Sequence, residues 1–138
     1  MAWVMEKRSN LATQSDTIIV VDDDAAVRKS LKFSLEVEGF SVRTYERAEE
    51  LLSETVSPAC RCLVVDQKLP GLSGVELISE LRERGVLAPA ILITTHPSLA
   101  LKMRAASAGV AIVEKPLLGS TLLDGIHQAM KRPTPHPN

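Results

Sequence analysis

TIIVVDDD, residues 17–24, is a run of five β-favouring residues that stops on three carboxylates. The form returns four more times: SVRTY at 41–45, CLVVD at 62–66, AILIT at 90–94 and a weaker VAIVE at 110–114. Val- and Ile-rich runs of this length read as strands. Residues 17–21, 62–65 and 90–94 are apolar almost throughout, as in strands covered on both faces, whereas the alternation in SVRTY suits an edge.

Between the runs, apolar residues recur at helical spacing. Asp24 can cap a helix from Ala25 to about Glu38, with Val27, Leu31 and Leu35 as its buried stripe and Gly39 as its stop. Leu51 and Leu52 mark a short second helix that ends before Pro58. Ser73 or Gly74 opens a third, with Val75, Leu77, Ile78 and Leu81 inward and Gly85 after it. A fourth is expected from about Ser98 to Ala108 and a fifth from about Gly119 to Met130. The final KRPTPHPN cannot continue a helix. Strict βα alternation predicts a doubly wound α/β fold, a five-stranded parallel sheet with helices on both faces and right-handed crossovers. Ligand chemistry is then expected outside the C-terminal strand ends, at a topological switch point.

The bulk numbers agree. With 138 residues, 45% hydrophobic and 24% charged, the chain reads as one domain with short tails, not as a disordered segment or a small disulfide scaffold. A net charge of -1 provides no whole-chain electrostatic footprint for nucleic acid or an anionic membrane. Cys60 and Cys62 have the wrong spacing for a CxxC redox pair or a zinc half-site, and read as reduced core thiols. Residues 1–15 contain neither a signal-peptide core nor a membrane span, so a cytoplasmic location is expected.

The strand ends carry groups that packing does not require. Asp22, Asp23 and Asp24 follow the first strand, Asp66 ends the third, Thr94 and Thr95 end the fourth, and Glu114, Lys115 and Pro116 follow the fifth. Gathered carboxylates repel unless a cation neutralises them, and oxygen ligands with room for water suit Mg²⁺. A nearby ammonium and hydroxyl would serve a phosphoryl group. Together these groups suggest an aspartyl-phosphate site.

In this order at consecutive strand ends, VVDDD, LVVDQKLPGLSGVEL, ILITT and EKP resemble the receiver domain of bacterial two-component response regulators, in its FixJ-type branch. The likeness covers about Asp16 to Met130, leaving residues 1–15 as an N-terminal extension and 131–138 as a Pro-rich tail. It implies the flavodoxin-like strand order 2-1-3-4-5. Residue by residue, it implies Asp66 as phosphoacceptor, and Asp22, Asp23, Asp66 and the backbone carbonyl of Lys68 as ligands of Mg²⁺ or Mn²⁺. Thr94 matches the switch hydroxyl, Lys115 the phosphoryl-pairing cation, and Pro116 a proline after a cis peptide bond. Lys68, Thr95 and His96 fall at positions that tune the site rim, and Leu69 replaces the usual methionine. Ile112 stands where the family usually carries the aromatic that rotates with the switch threonine, so the ordinary coupling is expected to be altered.

The resemblance implies a signalling module that catalyses only its own phosphorylation and dephosphorylation. Its expected partners are a sensor histidine kinase or phosphotransfer protein and, through the fourth helix and fifth strand or the N-terminal arm, a second copy, with no direct contact to nucleic acid or membrane. Two alternatives stand beside the single-domain receiver. One is a receiver fragment of a longer DNA-binding regulator. The other is a haloacid-dehalogenase-type phosphatase, whose DxD motif Asp22–Asp24 fits but whose late acidic ligands have no counterpart here.

Overall fold

A computed structural model of the chain describes residues 16–56, 60–115 and 121–131. Five strands alternate with five helices: β1 Thr17–Val21, α1 Ala25–Val37, β2 Ser41–Tyr45, α2 Ala48–Leu52, β3 Cys60–Asp66, α3 Gly74–Glu83, β4 Ala90–Thr94, α4 Leu99–Ser107, β5 Ala111–Glu114 and α5 Thr121–Lys131. The sheet is parallel throughout, in the order β2-β1-β3-β4-β5. Alternating SVRTY is an edge strand, as expected, and the largely apolar β1, β3 and β4 are central. The expected cis-proline Pro116, the N-terminal extension, the C-terminal tail beyond Lys131 and the helix start near Gly119 lie outside the described residues.

Each face of the sheet buries its own core. On one side, Ile19, Val21, Leu63, Val65 and Leu92 pack with Leu51 of α2, Leu77, Ile78 and Leu81 of α3 and Ala105 of α4. On the other, Ile18, Val20, Val64, Ile91 and Ile93 pack with Leu31 and Leu35 of α1 and Leu122 and Ile126 of α5. Period-two alternation within each strand thus feeds two helical layers. Helix α1 starts on Asp24, whose carboxylate accepts from the N–H groups of Ala26 and Val27 at 2.9 and 3.3 Å. A reciprocal box opens α3, Ser73 accepting from Glu76 N and Glu76 from Ser73 N.

Three details depart from the sequence reading. Strand β3 starts two residues early, at Cys60, and its pairing with β1 steps from Thr17↔Cys60 to Ile18↔Cys62. Arg61 is therefore an extra residue, turned outward to Asp16 at 2.6 Å, and this bulge sends Cys60 into the first core and Cys62 into the second. Both thiols are free and buried. By sequence, Leu99, Ala100, Ala105, Ala106 and Ala108 offer α4 an apolar face for a second copy, but Ala105 does not join it. It is buried, and the large exposed apolar residues there are Leu99 and Met103, one turn apart.

The start of α3 lies so close to β3 that residue 74 can only be glycine. A Cβ there would stand 2.5 Å from the Asp66 carbonyl oxygen and 2.7 Å from Leu92 Cδ1. The backbone oxygen has nowhere to go, so Gly74→Ala is expected to lower stability by about 1–3 kcal/mol through overpacking, seen as a lower urea midpoint with an unchanged slope.

Candidate functional site

The strand order makes β1 and β3 neighbours although β2 lies between them in sequence, and at that switch point their C-terminal ends bring Asp22, Asp23 and Asp66 together. One carboxylate oxygen from each lies within 4.8 Å of the others, the only such acidic group among the described residues. Asp22 and Asp66 are buried while Asp23 is exposed, so the cluster opens to solvent on one side.

Backbone hydrogen bonds from several elements fix the cluster. Asp22 N donates to the Tyr45 carbonyl of β2 at 3.0 Å. Arg28, one turn into α1, donates to the Asp22 carbonyl at 2.7 Å. One Asp22 oxygen, Oδ1, accepts from Asp24 N at 2.9 Å, whereas Oδ2 is buried without a hydrogen-bond partner. A buried carboxylate oxygen left unpaired is costly, and with two other carboxylates at hand it is a donor set suited to a hard divalent cation such as Mg²⁺.

Asp66 is bound through both oxygens. Oδ1 accepts from Lys68 N at 3.3 Å, and Oδ2 meets Lys115 Nζ at 3.2 Å. Lys115 is delivered from the fifth strand by its own N–H, which donates to the Thr94 carbonyl at 2.8 Å. Thr94 is buried at the end of β4, one residue past Ile93, the register partner of Asp66. Thr95, His96 and Lys68 are exposed around the same end, and Ile112 is half-buried in β5. His96 takes φ +48°, the one non-glycine residue with positive φ among the described residues. The β4–α4 turn therefore holds local backbone strain.

The sequence reading thus placed Asp22, Asp23, Asp66, Thr94 and Lys115 at one end of the sheet, and the structure puts them there. It missed the supporting groups: the Tyr45 carbonyl, Arg28 and the close approach of Gly74. No residue type announces a backbone carbonyl as a partner, and an arginine on an amphipathic helix looks like any other surface charge.

The chain belongs to the response regulator receiver domain family, whose model matches residues 18–127. It is 36% identical over 114 residues to the transcriptional regulatory protein FixJ of Rhizobium meliloti (strain 1021), covering 82% of this chain and 56% of that protein. It is 34% identical over 122 residues to nodulation protein W of Bradyrhizobium diazoefficiens, covering 88% and 54%. The chain spans about half the length of the curated relatives it matches. Among solved structures, it resembles FixJ-N (TM-score 0.73, 34% identity, 87% of this chain and 97% of that one). It also resembles a CheY-like receiver domain from Methanospirillum hungatei JF-1 (TM-score 0.76, 30% identity, 83% and 93%). No described helix is long and apolar enough to cross a membrane.

Burial pushes the Asp22 carboxyl above its ordinary value, and the charges of Asp66 and Asp23 push the same way, against the Asp24 N–H and Lys115. The folded metal-free chain then holds a proton at Asp22 more tightly than the unfolded one. Its deprotonation costs stability as pH rises from the ordinary value of 3.8 through the raised one. Asp22→Asn is expected to stabilise the metal-free protein at neutral pH and to remove this part of the pH slope. Urea unfolding across pH, with a chelator present, measures both.

Proposed function

We propose that this receiver accepts a phosphoryl group on Asp66 from the phosphohistidine of a sensor histidine kinase or phosphotransfer protein, in a Mg²⁺-dependent reaction. The observation that carries this reading is the convergence of three carboxylates at a switch point with Lys115 already bound to the one that ends β3. The unpaired Asp22 Oδ2 supports Asp22, Asp23, Asp66 and the Lys68 carbonyl as the ligands of the ion. The bound ion would neutralise charge between the carboxylates and the incoming phosphoryl oxygens.

Asp66 is the nucleophile. One of its oxygens forms a bond to phosphorus as the phosphorus–nitrogen bond to the donor histidine breaks, and the leaving imidazole keeps the electron pair and takes up a proton. A loose, in-line transfer needs positioning and charge stabilisation more than covalent help. The Lys68 N–H orients the Asp66 carboxylate, Lys115 offers an ammonium to the transferred oxygens, and Thr94 offers a hydroxyl that can move to them. Phosphoryl occupancy then favours one of two arrangements of the β4–α4 turn. Since position 112 holds isoleucine rather than an aromatic, the change travels through the turn and α4, whose exposed Leu99 and Met103 form the face for a partner or a second copy. Site-rim residues Lys68, Thr95 and His96 set how long the phosphoryl group survives.

In this reading the receiver unit is residues 16–130. It works in the cytoplasm as a signalling module, turning over only its own phosphoryl group and contacting neither nucleic acid nor membrane. The extra length of the curated relatives favours a second organisation, with the same receiver as one part of a longer regulator. The intact mass of the native gene product separates the two. Family membership removes the haloacid-dehalogenase alternative.

Incubation with acetyl phosphate and Mg²⁺ is expected to add one phosphoryl mass, read by intact-mass spectrometry. The gain should vanish with chelator and in Asp66→Asn, while Thr94→Ala should still be modified but lose any phosphoryl-dependent change in association. Absence of modification in the parent protein under every condition would overturn the reading.

A further inference from the structure

Gln67, directly after the acceptor position, is bonded at three points. Its N–H donates to the Ile93 carbonyl at 2.8 Å, and its carbonyl accepts from Gly74 N at 3.0 Å. Its side-chain Oε1 accepts from Val75 N at 2.9 Å. Gly74 and Val75 are the first two residues of α3, and the first N–H groups of a helix have no partner within the helix. Gln67 therefore takes two of these orphan donors, one through its backbone and one through its side chain, while Ser73 Oγ takes a third from Glu76. The peptide unit between residues 67 and 68 is held at both ends: its C=O receives the Gly74 N–H, and its N–H points to Asp66 Oδ1 at 3.3 Å.

We propose that Gln67 is a positioning residue for the metal and acceptor site: by clamping the β3–α3 turn to the start of α3 it fixes the peptide that orients the Asp66 carboxylate and presents the Lys68 carbonyl. The inference rests on the reading of Asp66 and Lys68 given above. The acceptor that reaches Val75 N lies three bonds beyond Cβ, while the main chain stays in register with β4 through the Ile93 carbonyl. A hydrocarbon side chain leaves that N–H unpaired and the residue tied to α3 by its backbone carbonyl alone. The contact differs from ordinary helix capping in what it serves, because the Ser73 cap stabilises the same helix without touching the acceptor turn.

Comparison of Gln67→Leu with Ser73→Ala tests this. Both remove one acceptor from the first turn of α3, so both lower the melting temperature. Calorimetric titration with Mg²⁺ alone is expected to show Kd raised about tenfold in Gln67→Leu, the low end of what loss of an outer hydrogen-bond partner costs a metal site, and unchanged in Ser73→Ala. Modification by acetyl phosphate should then need more Mg²⁺ in Gln67→Leu than in the parent or in Ser73→Ala. Equal Mg²⁺ affinity in Gln67→Leu and the parent, or an equal loss in both variants, would reduce Gln67 to a helix cap and overturn the proposal. A parent chain that binds Mg²⁺ but takes no phosphoryl group would instead count against the reading of Asp66. A parent chain that shows no Mg²⁺ binding would overturn both.

Discussion

Two carboxylates, Asp22 and Asp66, are buried side by side at the ends of adjacent strands, and the surrounding structure makes that burial tolerable. Like charges out of water cost free energy that a hydrophobic core cannot return. The offsets are local. Lys115 faces one oxygen of Asp66, backbone N–H groups take the other oxygen of Asp66 and one of Asp22, and the cluster stays open to solvent at Asp23. One oxygen of Asp22 has no offset. The site is therefore held below its own stability optimum, the usual cost of a functional constellation on an otherwise consistent fold.

What keeps the carboxylates apart from relief by collapse is the stiffness of the sheet. Asp22 and Asp66 directly follow runs, Ile18–Val21 and Cys62–Val65, that are buried on both faces, each face sealed by a helical layer. A strand end in such a sheet cannot slide, because a one-residue slip would move every side chain to the opposite layer. The α1 layer adds a direct hold through Arg28 on the Asp22 carbonyl, which ties the acidic turn to the helix.

The architecture was legible because its signals are periodic and redundant. Five apolar runs, the Asp24 and Ser73 caps and the edge-like alternation of SVRTY all point to one sheet. The strand-end chemistry was legible because buried acids and a lysine before a proline are unusual in packing terms. Supporting contacts were not. Tyr45 acts through its carbonyl, Gly74 through the absence of a Cβ, and Gln67 through a side chain whose partner is a backbone N–H. Such contacts depend on where two elements meet, which local sequence does not encode. The bulge at Arg61 escaped for the same reason: strand periodicity over Cys60–Cys62 predicts one shared face.

That bulge gives the protein two built-in chemical clocks. Cys60 reports on the layer under α2, α3 and α4, and Cys62 on the layer under α1 and α5. Burial raises the two thiols to about 11 and about 12, so neither reacts as a thiolate until its own layer opens. Since the sheet stands between them, they cannot pair with each other in the native state. The rates at which an external reagent consumes each sulfur therefore separate the breathing of the two halves of the core, without a label or a substitution being introduced.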